Sequence, residues 1–425
     1  MLIWVYRLVT YIVAPLFWLY QRRLIKRGRE EAAMGAERWG RASLPRPKTG
    51  KLVWIHAASV GETLAIFDLV EQLLAEDDEL HILVTTFTQS AGRMLRKTLP
   101  PRAMHQLLPF EYRPAIDRFL RHWQPDLAVW TESELWPAVL DRLATHRPKL
   151  PRVMVNGKIT EKSFSKIKRY RRMMAGLLGG FDWAQVQSAR DKLHYEALGM
   201  AQGRIEVVGS VKEAAPVMPF NGDELARLRA EIGARPCWLA ASTHPEEFEQ
   251  VYAAHAEVRN HYPEMTLIHA PRHPDAGEYA TEAARTAGLS ARRRGLGEGP
   301  DAASVYICDT LGEMGLWHRL ALICFVGGSL CDKLGHNPFE AVALQNALIH
   351  GPSIGHFEAA YRRYLAAGAA IEVNTAKTLA DAVLRLMNPD LRQAQIAAAN
   401  AVRQAGEQAL ARTKTRLAAH IQTVT

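Results

Sequence analysis

From Lys51 onward the chain repeats one unit, a short apolar run rich in branched residues followed by a stretch with helical spacing. The first series is KLVWIH (51–56), LHILVTT (80–86), DLAVW (126–130), PRVMVN (151–156), WAQVQ (183–187) and IEVV (205–208). The second is CWLAAS (237–242), MTLIHA (265–270), SVYICD (304–309), ALICFVGG (321–328), ALIHG (347–351) and AAIEV (369–373). Strands separated by helices pair in parallel, because the crossover returns the chain to the same end of the sheet. Near-continuous apolar strands are buried on both faces. Two such series predict two doubly wound α/β domains, which 425 residues at 48% apolar content are long enough to build. The prolines of EAAPVMPF (213–220) interrupt the pattern. The expected organisation is therefore 1–42 as a terminal segment, 43–215 as a first domain and 216–425 as a second. The Ala- and Arg-rich helical tail from Ala376 to about Thr423 has two places to pack, on the last sheet or back on the first domain.

The terminal segment concerns location. Leu2 to Tyr20 is almost wholly apolar and aromatic, and Arg22, Arg23, Lys26, Arg27 and Arg29 follow at once. A cleaved signal would carry its charges before the apolar run and a small-residue site after it, and neither is present. Trp4, Tyr6, Tyr11, Trp18 and Tyr20 suit an interfacial belt, and the basic cluster suits anionic headgroups on the cytoplasmic side. The segment is expected to be a membrane anchor. Spanning is preferred over lying in the interface, although Arg7 and Pro15 fall inside a stretch of marginal length. Removing residues 1–24 is expected to weaken membrane association and leave the α/β fold intact.

The 53 Lys and Arg against 44 Asp and Glu leave +9, which favours an anionic partner without choosing one. Cys237, Cys308, Cys324 and Cys331 have no ligand spacing and read as reduced core thiols, and the 16 histidines read as surface or core residues. Lys162 to Arg172 (KSFSKIKRYRR) reads as a cationic face for a membrane or for phosphates. Nucleic acid is not expected as a partner, since the basic residues lack repeated aromatic interleaving.

In open parallel sheets ligands bind beyond the carboxyl ends of the strands, so chemistry is sought just after the apolar runs. After the first comes His56-Ala-Ala-Ser59-Val-Gly61-Glu62, where Glu62 is a candidate general base or a helix-capping carboxylate. After DLAVW come Glu132 and Glu134, one suited to accept a proton and the other to orient a cation or hydroxyl. Lys212 follows the turn Gly209-Ser210 and suits a phosphate. In the second series Ser242-Thr243-His244 reads as a helix N-cap, and Arg272 stands at a strand end between Pro271 and His273-Pro274 as a phosphate or carboxylate ligand. Asp309 to Met314 and Gly327-Gly328-Ser329 each read as strand, glycine turn, helix, with N–H groups open to an anion. Glu340 opens a helix at Pro338 and can accept both hydroxyls of a ribose. Gly-x-Gly-x-x-Gly after a strand, the P-loop and His-Glu-x-x-His are all missing, so hydride transfer, P-loop hydrolysis and zinc hydrolysis lose ground.

The ordered set SVGET (59–63), TESELWP (131–137), NGK (156–158), GSVK (209–212), ASTHPEE (241–247), PRHP (271–274), DTLGEM (309–314), FVGGSL (325–330) and GHNPFE (335–340) resembles the bacterial Kdo transferases over the whole chain. These move 3-deoxy-D-manno-oct-2-ulosonic acid (Kdo) from CMP-Kdo to lipid A precursors such as lipid IVA. The resemblance implies a GT-B fold, two Rossmann-like domains facing a cleft, with the acceptor on the first domain and CMP-Kdo on the second. It implies Glu62 as general base, and Glu132 and Lys212 as the residues that stabilise the transition state. It places CMP on Pro271 and Arg272, on Leu311, Gly312 and Glu313, and on Asn337, Pro338, Phe339 and Glu340. It implies no cofactor and no metal, and the cytoplasmic face of the inner membrane as location. The chain departs from the family pattern at Asn156-Gly157-Lys158, where Asn-Ala-Arg is usual, at Leu334-Gly335, where Gly-Gly is expected, and at Ser353 and His356-Phe357. A transferase using another CMP-ulosonic acid or nucleotide sugar, and a silent membrane-attached nucleotide-binding homologue, are the alternatives.

Overall fold

The computed structural model describes residues 2–26, 31–132, 135–213, 218–355 and 357–424. Arg27 and Arg29 of the basic cluster, Ser133 and Glu134, residues 214–217 of the interrupted segment, and His356 lie outside the described residues. The chain forms two compact units, Met1–Lys212 with Gly406–Thr425, and Glu213–Ala405.

The first unit holds β1 (Leu52–His56), β2 (His81–Thr86), β3 (Ala103–Leu107), β4 (Leu127–Thr131), β5 (Arg152–Gly157), β6 (Trp183–Val186) and β7 (Ile205–Val207), with helices between them. All pairs are parallel and the order is β3-β2-β1-β4-β5-β6-β7, so the winding reverses between β1 and β4. Strand β1 is buried throughout, as its unbroken apolar run requires. Trp54, Trp130 and Phe119 pack ring on ring beneath it, each burial contributing on the order of 1.5–3 kcal/mol.

The second unit holds β8 (Cys237–Thr243), β9 (Thr266–Pro271), β10 (Ala291–Arg293), β11 (Val305–Ile307), β12 (Ile323–Val326), β13 (Ala347–His350) and β14 (Ala370–Glu372). Its parallel order is β10-β11-β9-β8-β12-β13-β14, reversing between β8 and β12. Strands β3 and β10 have no counterpart in the sequence reading. Both are edge strands, and AMHQL and ARR carry the polar residues an edge tolerates, so neither shows an apolar run.

The tail forms a second helix, Pro389–Thr423, whose last residues join the first unit. There Lys414 pairs with Glu76 at 2.7 Å, Arg416 with Glu206 at 3.4 Å, and Lys51 donates to the Ile421 carbonyl at 2.9 Å.

The terminal segment departs from expectation. It is two short helices, Leu2–Ile12 and Ala14–Lys26, broken at Val13, and among the described residues no helix is long and apolar enough to cross a membrane. The break coincides with Pro15, which cannot donate in a helix interior. Polar anchors fix these helices to the first unit. Arg7 donates to both carboxylate oxygens of Asp141, at 2.9 and 2.7 Å, and Tyr6 donates to Glu111. Phe17 stacks on Phe110 with centroids 5.2 Å apart, and the buried Gln21 bonds Gly35 and Trp39. These contacts tie residues 1–24 to the first unit, which the expectation of an independent anchor did not include. Their removal would take both guanidinium bonds from the buried Asp141 and the Tyr6 bond from Glu111, which would keep the Ala138 N–H.

Candidate functional site

In the first unit the loops that leave β1 and β4 flank the point where the winding reverses, the place where open parallel sheets bind ligands. Ser59 caps the helix Val60–Glu76, accepting from the Glu62 N–H, and Glu62 bends back to accept from the Ser59 hydroxyl and the Ala58 N–H, both at 2.9 Å. Ser59 is thus the N-cap, and the Glu62 carboxylate, folded back on Ala58 and Ser59, is held in a buried position. Thr131, the last residue of β4, donates to the His56 carbonyl at 2.7 Å and reaches Glu62 at 3.4 Å. Of the two readings made of Glu62 the structure shows the capping one, and it places the residue beside the switch point.

Glu132 follows directly with φ +54, a left-handed backbone unusual for a residue with a side chain. Its carboxylate pairs with Lys212, and Asn156 Nδ2 donates to it at 3.2 Å. Asn156 also has a positive φ, +55, at an irregularity in the pairing of β5 with β6, and its Oδ1 accepts from Val211 N–H at 3.2 Å. Gln185, buried mid-strand in β6, bonds Asn156 N–H at 2.6 Å and the Gly209 carbonyl at 2.6 Å. Strained backbones that persist at strand ends mark positions the fold over-determines, commonly functional ones. The structure brings Glu132 and Lys212 together as an ion pair, a contact that the motifs did not predict. Asn156 and Gln185 are the residues that sequence reasoning missed as positioners, and the available signal was a Gln inside an otherwise apolar strand.

In the second unit β8 and β12 flank the reversal. The helix Pro245–His261 starts at His244, and Glu247 accepts from the backbone N–H groups of His244, Gly328, Ser329 and Leu330 at 2.7–3.1 Å. This overturns two expectations for Gly327-Gly328-Ser329. The Gly328 and Ser329 amides expected to be open to an anion are occupied by an internal carboxylate, the Gly327 N–H bonds the Ala241 carbonyl at 2.8 Å, and no helix follows the turn directly. The burial of Glu247 raises its pKa, while the amide bonds favour the charged form.

Arg272 is exposed at the end of β9, with its N–H on the Thr243 carbonyl at 2.8 Å. Glu340 lies in the first turn of the short helix Phe339–Ala343 and accepts from Asn337 Nδ2 at 3.2 Å, while Asn337 Oδ1 accepts from Phe339 N–H. Burial raises the Glu340 pKa, and Asn337 and Arg272 oppose that rise. Pro271, Arg272, Asn337, Pro338, Phe339 and Glu340 thus lie at the carboxyl ends of β9 and β12 or in the loops beyond them. Leu311 and Gly312 form an open turn, Leu311 being 81% exposed and Gly312 having φ +82 with open space where a Cβ would stand. The Glu313 carboxylate is already engaged by Arg294, at 2.6 and 3.1 Å, and by Thr310. Among the described residues no group of three or more His, Cys, Asp or Glu is placed to hold a metal ion.

The comparisons with known proteins agree on class first. UDP-GlcNAc 2-epimerase from Neisseria meningitidis bound to UDP-GlcNAc is 12% identical, matching 81% of this chain and 94% of its own with TM-score 0.54. A glycosyltransferase from Rickettsia africae is 13% identical, matching 89% and 100% with TM-score 0.53. The fold is thus the GT-B-like one, with two parallel-sheet domains. Residues 34–215 match the family model described as 3-deoxy-D-manno-octulosonic-acid transferase (kdotransferase). The 3-deoxy-D-manno-octulosonic acid transferase of Rickettsia bellii is 31% identical over 388 residues, 91% of this chain and 91% of that protein. The chain belongs to the 3-deoxy-D-manno-octulosonic acid transferase family.

Proposed function

We propose that this Kdo transferase moves Kdo from CMP-Kdo to a lipid A precursor in lipopolysaccharide synthesis, with Glu62 as general base and without a metal. The observation that carries the residue assignment is the convergence of Glu62, Glu132, Asn156 and Lys212, linked through Thr131, at the carboxyl ends of β1, β4, β5 and β7. Glu62 takes the proton of the acceptor hydroxyl as that oxygen attacks the anomeric carbon of Kdo. The sugar–phosphate bond breaks, CMP leaves with the electron pair, and the ring passes through an oxocarbenium-like state. A fixed carboxylate beside the attacking hydroxyl is typically worth about 10²–10⁴ in rate. Lys212, held by Glu132, supplies positive charge where negative charge grows. Arg272 and the Asn337–Glu340 segment hold the cytidylate.

The acceptor is a lipid, and we place the protein on the cytoplasmic face of the inner membrane. Trp4, Leu8, Ile12, Leu16, Trp18 and Leu19 are exposed on the two N-terminal helices, and exposed Arg22, Arg23 and Lys26 follow. That pattern suits helices lying in the interface over anionic headgroups. The exposed cations Lys162, Lys166, Lys168, Arg169, Arg171 and Arg172 suit the acceptor phosphates. Incubation with CMP-Kdo and a tetra-acylated disaccharide precursor, followed by mass spectrometry, tests the reading. A product heavier by whole Kdo units is expected, and an unchanged acceptor alongside turnover of another nucleotide sugar overturns it.

A further inference from the structure

His244 and His336 lie 92 positions apart in the chain, yet their Nε2 atoms are 2.8 Å apart and their rings stack with centroids at 5.1 Å. A bond between two ring nitrogens needs a proton on one and a lone pair on the other, so the pair carries at most one charge while it lasts. His273 meets His244 edge-on at 6.0 Å. The contact is built in: Gly328 has φ +68, and a Cβ there would stand 2.9 Å from the His336 ring, so only glycine admits it.

The groups facing His244 are Glu246 and Glu247 on its own helix, Arg272 and His273 beyond β9, and Lys333 beyond β12. Of the two acids, Glu246 pairs with Lys333 at 3.0 Å and Glu247 is taken up by four backbone amides. Burial, with Lys333, His273 and Arg272 adding to it, holds His244 below its ordinary pKa and therefore uncharged at neutral pH. The uncharged imidazoles thus lie beside Arg272 in a corner whose nearest acids are already committed.

We propose that the His244–His336 pair is an anion subsite, which takes up a proton as the phosphate of the nucleotide binds beside Arg272. The added proton breaks the ring-to-ring bond and turns both Nε2 atoms into donors toward the phosphate oxygens. The inference rests on the donor reading above, and its test separates the two. Calorimetry on the full chain between pH 7 and 8.5 uses CMP and, separately, inorganic pyrophosphate. One coupled proton weakens wild-type binding by up to about tenfold per pH unit. H244Q and H336Q are expected to bind both anions about tenfold more weakly at pH 7, with the dependence on pH lost. His336→Lys is expected to restore affinity without restoring that dependence, which also shows that the site still folds. Variants that bind both anions like wild type, with the same slope, overturn the subsite. Wild type that binds pyrophosphate but not CMP, with the variants behaving as expected, overturns the cytidylate reading and supports the subsite. Wild type that binds neither overturns both.

Discussion

The Thr131 hydroxyl stands 3.4 Å from the Glu62 carboxylate while donating to the His56 carbonyl at 2.7 Å, joining the ends of β1 and β4 at the switch point of the first sheet. One residue later Glu132 begins the chain of contacts to Asn156 and Lys212. The proposed base and the proposed cation are therefore positioned by one continuous network.

Breaking the pair at its far end is expected to affect turnover more than binding. Lys212→Met should lower kcat by about 10²–10³ with KM within a few-fold, as when one preorganised transition-state donor is lost. Steady-state kinetics with CMP-Kdo check this, and a change confined to KM would remove Lys212 from the transition state.

Arg7→Met is expected to destabilise the first unit. Asp141, only 9% exposed, would lose both guanidinium bonds, a loss that costs about 3 kcal/mol when such a pair is broken from one side. Urea unfolding of the full chain reads this as a lower midpoint, and an unchanged midpoint would mean the Arg7–Asp141 pair contributes nothing to the fold.

Leu334→Gly is expected to stabilise. Leu334 has φ +63, where a side chain costs about 1–2 kcal/mol and glycine is free of that strain, while glycine's extra chain entropy returns about 0.5–1 kcal/mol. A net gain of roughly 0.5–1 kcal/mol should appear in thermal unfolding.

Stability should fall steeply in mild acid. Burial pushes His56, His105, His255 and His269 down to about 3, so the native state holds them neutral. The unfolded chain takes up protons near pH 6.5, so this stability is complete above that pH and is lost as pH drops from there towards 3, at about 1.4 kcal/mol per unit for each histidine. Denaturant midpoints at pH 7, 6 and 5 check the slope, and a flat profile would contradict the burial of these rings.

Much of the architecture was legible because a parallel strand covered on both faces must be apolar along its length, as LVWIH in β1 and ICFV in β12 are. The edge strands β3 and β10 were not, because an edge admits His105, Gln106 and the arginines of 291–293. The N-terminal helices misled for a related reason: apolarity marks them for burial or lipid alike, and only the partners of Arg7 and Tyr6, Asp141 and Glu111, tell how they are held. The places of Glu62, Glu132 and Arg272 just after strands were legible from position alone. What motif order could not convey is pairing: that Glu247 would occupy the glycine-turn amides, or that His244 and His336 would touch, depends on how distant loops fold onto one another.

The most direct measurement compares wild type with Glu62→Gln for Kdo transfer and CMP affinity on the same preparations. The amide keeps the shape of the side chain folded against Ala58 and Ser59 but cannot take the acceptor proton, so transfer should fall by about 10²–10⁴ while CMP binds as in wild type. Transfer at the wild-type rate by the Glu62→Gln variant would contradict the account.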